Sequence, residues 1–516
     1  MRLLLLAALA TLSFSAAAAD LTIARASEQS SVDPHFAGTG PNGDTANDIF
    51  DRLVASDAQN QLLPALAVRW EVVDPTTWRI RLREGVRFHD GSPFTADDVV
   101  FSLARAKTIP NSPAPLLRAG RGVLSVTAEG AHGLVVKTDG PVPRLIEQLG
   151  EISVVSARDA AGRSTTDMNA GLGMVGTGPY RFRGWVPGST VSLERNPGYW
   201  GGAAAWQRVT LRFIKQPAAR VAALLAGDVD VIDQVSPADA RAVAANPKTS
   251  LFSIAATRLV YLAVDGARPV SPFVTDAAGK AMERNPLQDA RVRRALGLMI
   301  DRAALTGRLL DGSAEPAGQF VPAGIGGHAA VLAPEVVDVA AAKRLLAEAG
   351  YPGGFGITVH ASSDRLPQDS AVAQALGQML RRGGITVNAV VTEPYNVYAQ
   401  AASRRAYSLF LFSFGTTSSS SADGLTSVLA THDPERGMGA FNRTRYSNPA
   451  FDAALQRALG LFDEAARNQE LAAATAIAMK DTALIPLYWQ VVHWGTRKGL
   501  VYAPRRDEGT AARYVR

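Results

Sequence analysis

Thr77-Trp78-Arg79-Ile80-Arg81-Leu82-Arg83-Glu84-Gly85-Val86-Arg87-Phe88-His89-Asp90-Gly91, continuing through Pro93-Phe94-Thr95-Ala96-Asp97-Asp98-Val99-Val100-Phe101-Ser102, is the most legible stretch of the 516-residue chain. Trp78, Ile80 and Leu82 alternate with Arg79, Arg81 and Arg83, the period of a strand with one dry face and one wet face. Glu84-Gly85 turns the chain, Val86 and Phe88 share a face of an expected second strand, and His89-Asp90-Gly91 has the composition of a tight turn. Thr95 to Asp98 predicts a helix start, with the Thr hydroxyl on free backbone amides and Asp98 placed to reciprocate. Val99, Val100, Leu103 and Ala104 supply the apolar side of that helix.

Upstream, Leu21-Thr22-Ile23-Ala24 predicts a first strand. The polar, Gly-rich stretch from Ser27 to Asn42 predicts a long loop, and Asp44 to Leu53 a helix burying Ile49, Phe50 and Leu53. Downstream, strands are expected at Val209–Phe213, Val229–Ile232 and Val260–Val264, with a helix at Ala218–Ala226 ending at Gly227. Beyond Val260 amphipathic helices at Asp289–Leu310, Val337–Ala349 and Ser370–Leu380 alternate with strands at Ile357–His360, Ile385–Val391 and Leu409–Phe414. This alternation predicts an α/β protein.

Composition narrows the class further. Met1-Arg2, the apolar run Leu3 to Phe14 and Ala16-Ala17-Ala18-Ala19 have the three regions of a secretory signal in order, with cleavage expected after Ala19. The apolar run is too short for a spanning helix, which needs about 20 residues. The chain has no cysteine, so disulfides, thiolate metal sites and lipid attachment through sulfur are excluded. These features predict a soluble protein of the periplasm of a double-membraned cell. The length predicts more than one domain. A net charge of +6 is spread without any basic cluster interleaved with aromatics, which excludes a nucleic-acid partner.

Motifs for chemistry are few. Gly171-Leu172-Gly173-Met174-Val175-Gly176 spells the dinucleotide fingerprint, but polar Ser164 to Asn169 precedes it and Thr177-Gly178-Pro179-Tyr180 follows, so the strand and helix that the motif needs are missing. The seven histidines stand singly. No metal-ligand spacing, nucleophile elbow or phosphate loop is present, so no cofactor, metal or catalytic residue is expected.

The Thr77–Ser102 stretch closely resembles the hallmark of family 5 extracellular solute-binding proteins, which include dipeptide, oligopeptide, glutathione and nickel binders. Other segments agree in the same order: Thr177-Gly178-Pro179-Tyr180, Arg195-Asn196-Pro197-Gly198-Tyr199-Trp200, Asn285 to Ala295 with Ile300-Asp301-Arg302, Leu346 to Tyr351, Tyr446-Ser447-Asn448-Pro449 with Asp452, and Ile485-Pro486-Leu487. The resemblance implies a two-lobed periplasmic-binding-protein fold with ligand between the lobes. It places the signal at 1–19, the first lobe at 20–259 with an extra subdomain at about 70–170, the second lobe at 260–485 and the return to the first lobe at 486–516. It implies a monomer that captures a small molecule or peptide and passes it to an ABC permease of the inner membrane. A secreted hydrolase and a periplasmic peptide-holding chaperone are the alternatives.

The expected ligand-binding residues are Glu28, His35 and Phe36 in the long loop, Asp265 after the Val260 strand, and Phe414, Thr416, Thr417 and Asp423 after the Leu409 strand. Many peptide-binding relatives carry, after that last strand, a Trp followed three residues later by an Asp that pairs with the free α-ammonium of the peptide. Here Phe414 and Thr417 stand in those places, and a hydroxyl cannot offset the desolvation of an ammonium as a carboxylate can. Asp423 and Asp265 are the nearby carboxylates that could substitute. The ligand is therefore expected not to be an ordinary free-amine peptide.

Overall fold

The computed structural model of the protein describes residues 20–116 and 120–516, so the expected signal segment lies outside the described residues. A sheet of twelve strands runs through the molecule. Its main order is Val274–Thr275, Gly356–Ser362, Leu409–Phe414, Thr249–Val264, Leu484–Arg497, Val231–Ile232, Leu21–Arg25, Arg208–Phe213, Thr190–Arg195 and Tyr180–Val186. Two strands are far longer than the rest, Thr249–Val264 with 16 residues and Leu484–Arg497 with 14, and they pair antiparallel along most of their length.

These two crossing strands join the halves of the molecule. Their register runs from Thr249 opposite Arg497 to Ala255 opposite Val491, then shifts, and resumes with Leu259 opposite Trp489. A shift of this kind leaves residues without ladder partners and bends the strand. On one side of it lies the apolar cluster around Ile23, Phe50, Tyr180 and Trp494. On the other side two clusters cover the two faces of the sheet, one built on Val260, Leu262 and Leu296, the other on Leu259, Tyr261 and Phe412. The alternation of Leu259, Tyr261 and Ala263 against Val260, Leu262 and Val264 between those clusters is the two-residue period of a strand buried on both faces. Val260 and Ile485, named from sequence as lobe boundaries, both lie on these paired strands.

A second sheet of four strands, in the order Ala67–Asp74, Thr77–Leu82, Gly133–Thr138 and Val123–Ala128, carries its own core of Trp78, Ile80, Leu82, Phe94, Val99 and Leu103. Arg79 and Arg81 face solvent in ion pairs with Glu129 and Glu84. The helix Ala96–Ala106 starts where Thr95 predicts. Asp98 accepts from the Thr95 amide at 2.9 Å and from its hydroxyl at 3.2 Å, so the carboxylate supplies the capping.

Three local expectations are corrected. Val86 and Phe88 are buried on one side, but the segment forms only a bridge between Arg87 and Pro93, because the hairpin closes at once on Asp90-Gly91. The first helix is Gly40–Ile49, four residues earlier than expected, since Pro41 sits in its first turn, where a missing amide costs nothing. Asp289–Leu310 is not one helix: Ala290–Leu298 ends, and Asp301 accepts from the Ala304 amide to start another short segment. No helix among the described residues is long and apolar enough to cross a membrane.

Candidate functional site

Strand direction locates the cleft. Leu409–Phe414 runs antiparallel to the first crossing strand, with Leu409 opposite Val264 and Phe414 opposite Leu259, so its C-terminal end turns toward the crossing. Gly356–Ser362 runs parallel to it, and Thr386–Glu393 parallel to that. In the other half Leu21–Arg25, Arg208–Phe213 and Val231–Ile232 are parallel to one another and antiparallel to the second crossing strand, so their C-terminal ends also turn toward the crossing. Two rows of C-terminal loops therefore face each other across the crossing strands. Open α/β sheets bind ligands outside the C-terminal ends of their strands.

From the second half, the edge presents Phe414 and the loop after it. Phe414, Leu259 and Trp489 are register partners across three strands and form one row at this end of the sheet. The Phe414 ring packs 5.9 Å from Phe320 and 6.1 Å from Phe441 between centroids. Trp489 Nε1 is buried without a hydrogen-bond partner among the described residues. Thr416 is buried, its carbonyl accepts from the Thr257 hydroxyl at the crossing, and Thr417 is exposed. Ser418 Oγ donates to Asp423 at 2.6 Å and Thr416 Oγ1 does so at 3.4 Å.

The two halves meet at charged contacts. Arg144, from the four-strand subdomain, donates to Asp423 at 3.0 Å and to Glu147 at 2.7 Å. Burial alone would lower the Arg144 guanidinium, but the two carboxylates outweigh it and hold it above its ordinary value. At the crossing, Arg258 pairs with Glu508 at 2.7 Å, and Arg506 donates to the Ala323 carbonyl at 2.9 Å. Trp78 packs against Phe462 at 6.0 Å. An Arg144→Gln exchange removes the cation from the first of these contacts, each charged hydrogen bond being worth about 1.5–3 kcal/mol. The ligand-free protein is expected to expand, and its radius of gyration by small-angle scattering checks this; an unchanged radius would show that the pair does not hold the edges together.

The remaining sequence candidates lie elsewhere or are already engaged. His35 is fully buried: Arg105 donates to its Nδ1 at 3.0 Å, so Nε2 carries the proton and donates to the Ser153 carbonyl at 2.7 Å. Burial pushes it down to about 4, against the Ser153 bond that would raise it. His35 is thus a tie between loop and subdomain, not a cleft group. Asp265 follows Val264, at the end of the strand away from the crossing, and is occupied by Arg268 and Ser271; it is corrected from the cleft to the far edge. Glu28 Oε1 accepts from Trp185 Nε1 at 2.9 Å and from the Gly188 amide at 2.8 Å, pinning the loop to the Tyr180–Arg195 hairpin. Phe36 is half-buried, and its carbonyl accepts from the Ser112 hydroxyl. Of the eight candidates, Phe414, Thr416, Thr417 and Asp423 share one edge. Arg144, Arg258, Glu508 and Trp489 were missed, because each is a lone residue whose placement depends on strand order.

The glycine run serves packing. A Cβ on Gly176 would lie 2.1 Å from the Ile49 carbonyl oxygen, while Gly171 and Gly173 take φ of +93° and +78°. Among the described residues no group of three His, Asp or Glu side chains is placed to hold a metal ion.

The model of bacterial extracellular solute-binding proteins, family 5, matches residues 61–434. The chain is similar to the glutathione-binding protein GsiB of Pectobacterium atrosepticum, 29% identical with 87% of this chain and 84% of the relative covered. It is also similar to the periplasmic murein peptide-binding protein MppA of Escherichia coli, 25% identical with 89% and 86% covered. In structure it matches the ABC transporter substrate-binding protein CtaP of Listeria monocytogenes with a TM-score of 0.81 at 21% identity, over 96% of this chain and 98% of the other. With two opposed rows of strand ends, a pair of crossing strands between them and a family match over most of its length, the chain belongs to the family 5 bacterial extracellular solute-binding proteins.

Proposed function

We propose that the protein works in the periplasm, after loss of residues 1–19, as the capture component of an ABC-type uptake system. On this reading residues 20–259, including the subdomain at about 70–170, and 486–516 form one lobe, and residues 260–485 form the other. A solute that touches both rows of strand ends binds the closed arrangement better than the open one, and this differential affinity shifts the population toward closure. The closed form is what an inner-membrane permease recognises, and the solute is released unchanged.

The observation that carries the reading is the pair of crossing strands with its register shift, the joint about which the halves can close. Phe414, Thr416, Thr417 and Asp423 line the solute on the second lobe. Relatives carry names of glutathione and murein-peptide binders, so a peptide-like solute is within reach. A free α-ammonium is nevertheless disfavoured, because the Asp423 carboxylate is already matched by Arg144.

The test is to purify the full chain from a periplasm, release what it carries by denaturation, identify that solute by mass, and add it back to refolded protein under small-angle scattering. The radius of gyration should fall and the solute should be recovered with its mass unchanged. No compaction at saturation, or conversion of the solute to a product, would overturn the reading. At micromolar affinity binding supplies about 8 kcal/mol, enough to close a joint whose open form is favoured by a few.

A further inference from the structure

The core of the four-strand subdomain contains a residue from the far half of the chain. Among the described residues its other apolar members lie between Leu53 and Trp200, whereas the Phe462 ring packs on Trp78 at 6.0 Å between centroids and an interplanar angle of 44°. Trp78 is buried and stands in register between Val72 and Val136 of the neighbouring strands, so the surface it offers is the dry face of the sheet. Phe462 is half-buried, in the loop between the helices Pro449–Gly460 and Glu464–Lys480. It belongs to a different core from Phe414, which packs on the cluster around Leu259 and Tyr261.

The loop is built to hold this ring out. Arg467, itself buried, donates from Nη1 to the Leu461 carbonyl at 2.9 Å and to the Phe462 carbonyl at 3.2 Å. Asp463 accepts from the Ala466 amide at 2.7 Å and starts the next helix. With its backbone fixed on both sides, Phe462 loses little freedom when it docks, so the burial of its ring is opposed by little ordering entropy. Two other loops of the same half meet the subdomain as well. Asp423 pairs with Arg144, and Arg121 lies so close over Gly437 that a Cβ there would strike its guanidinium. The ion pair is screened by salt, whereas the apolar contact is not.

We infer that Phe462 is a latch: it keeps the arrangement with both halves in contact populated before any solute arrives, and it slows release of the solute without touching it. This rests on the solute-capture reading above and adds a positioning residue that sets affinity from outside the cleft. Because the ring makes the same contact whatever lies between the lobes, its contribution is common to every solute the protein takes.

The chain has no cysteine, so Leu124→Cys in the subdomain and Val331→Cys in the other half, both at exposed positions, can carry spin labels whose separation reports the contact. Solute-free protein should show two separations, and Phe462→Ala should lower the ratio of the form in contact to the open form about tenfold, the effect of burying part of a phenyl ring. Salt at about 0.5 M should leave that difference in place. Phe462→Leu, which keeps an apolar side chain, should recover most of it. The solute that co-purifies with the protein, once identified by mass, should leave Phe462→Ala faster by a similar factor and associate within about twofold of the unchanged rate. Thermal unfolding shows that each variant is folded. A single separation in solute-free protein, an unchanged ratio in Phe462→Ala, or slower association with unchanged release would each overturn the latch. A co-purified solute that shifts no separation in the unchanged protein would instead overturn solute capture, and the solute-free comparison still decides the latch.

Discussion

Arg105→Met is expected to destabilise the protein by about 3–5 kcal/mol, the cost of leaving a buried charge without its partner. Asp33 is fully buried, and Arg105 meets both its carboxylate oxygens, at 2.8 and 2.7 Å. Burial alone would raise the Asp33 carboxyl; the arginine outweighs it and holds the group below its usual range. The exchange also removes the donor to His35 Nδ1, so the loop loses two of its ties to the subdomain helix at once. Denaturant unfolding measures the loss. Combining Arg105→Met with Asp33→Asn should recover part of it, since the second change removes the stranded charge. A loss under about 1 kcal/mol, the ordinary worth of an exposed pair, would show that the network is hydrated.

The second expectation concerns acid. His35, His89 and His360 are buried, and burial pushes each from 6.5 down to about 4. His89 is fixed as neutral by its contacts: Gly176 donates to Nδ1 at 3.3 Å and Nε2 donates to the Gly178 carbonyl at 3.0 Å. As pH falls through 6.5 the unfolded chain takes up protons that the folded protein refuses until about 4. Stability is therefore complete above 6.5 and is lost between 6.5 and 4, each histidine costing about 2 kcal/mol at pH 5. Asp44 works the other way. Burial and the neighbouring Asp507 raise its carboxyl to about 7 in spite of Arg25, so the folded state gains a proton in the same window and offsets one histidine. His360→Phe isolates a single contribution, because His360 stacks on Tyr407 at 4.2 Å and its Nδ1 has no partner among the described residues to lose. The fall in unfolding free energy from pH 7.5 to pH 5 should shrink by about 2 kcal/mol in this variant. An unchanged fall would mean that His360 is protonated in the folded protein.

Periodicity made the local elements readable, and strand order hid the site. Leu409–Phe414 was legible to the residue, because an apolar run broken only by Ser413 and set between polar segments is what a strand buried over most of both faces requires. Thr95 and Asp98 announced their helix through side chains that act within one turn. The first crossing strand was recognised only from Val260 onward. Its earlier part, Thr249 to Ala255, is mostly half-exposed and carries no run of that kind, so its pairing with Leu484–Arg497 depends on residues more than two hundred positions away. Asp265 and His35 were misplaced for the same reason. Sequence shows that a carboxylate follows a strand or that an imidazole sits in a loop, but not which end of the strand faces the gap or which arginine reaches the loop. Phe414 and Asp423 could be named together from sequence because they lie within one loop of a well-marked strand end.

The order of the sheet also dictates when the molecule can be finished. Leu484–Arg497 lies between Thr249–Val264 and Val231–Ile232, in the middle of the sheet. Until it is made, the edge of Thr249–Val264 has no partner and the core around Trp494 lacks its largest ring. A ribosome has therefore delivered the first four hundred and eighty-three residues before the ladders of the two halves can be joined into one sheet, and pairings of such separation form slowly. The joined sheet is completed late. That delay leaves unpaired strand edges exposed to any holding factor that meets the chain on the way.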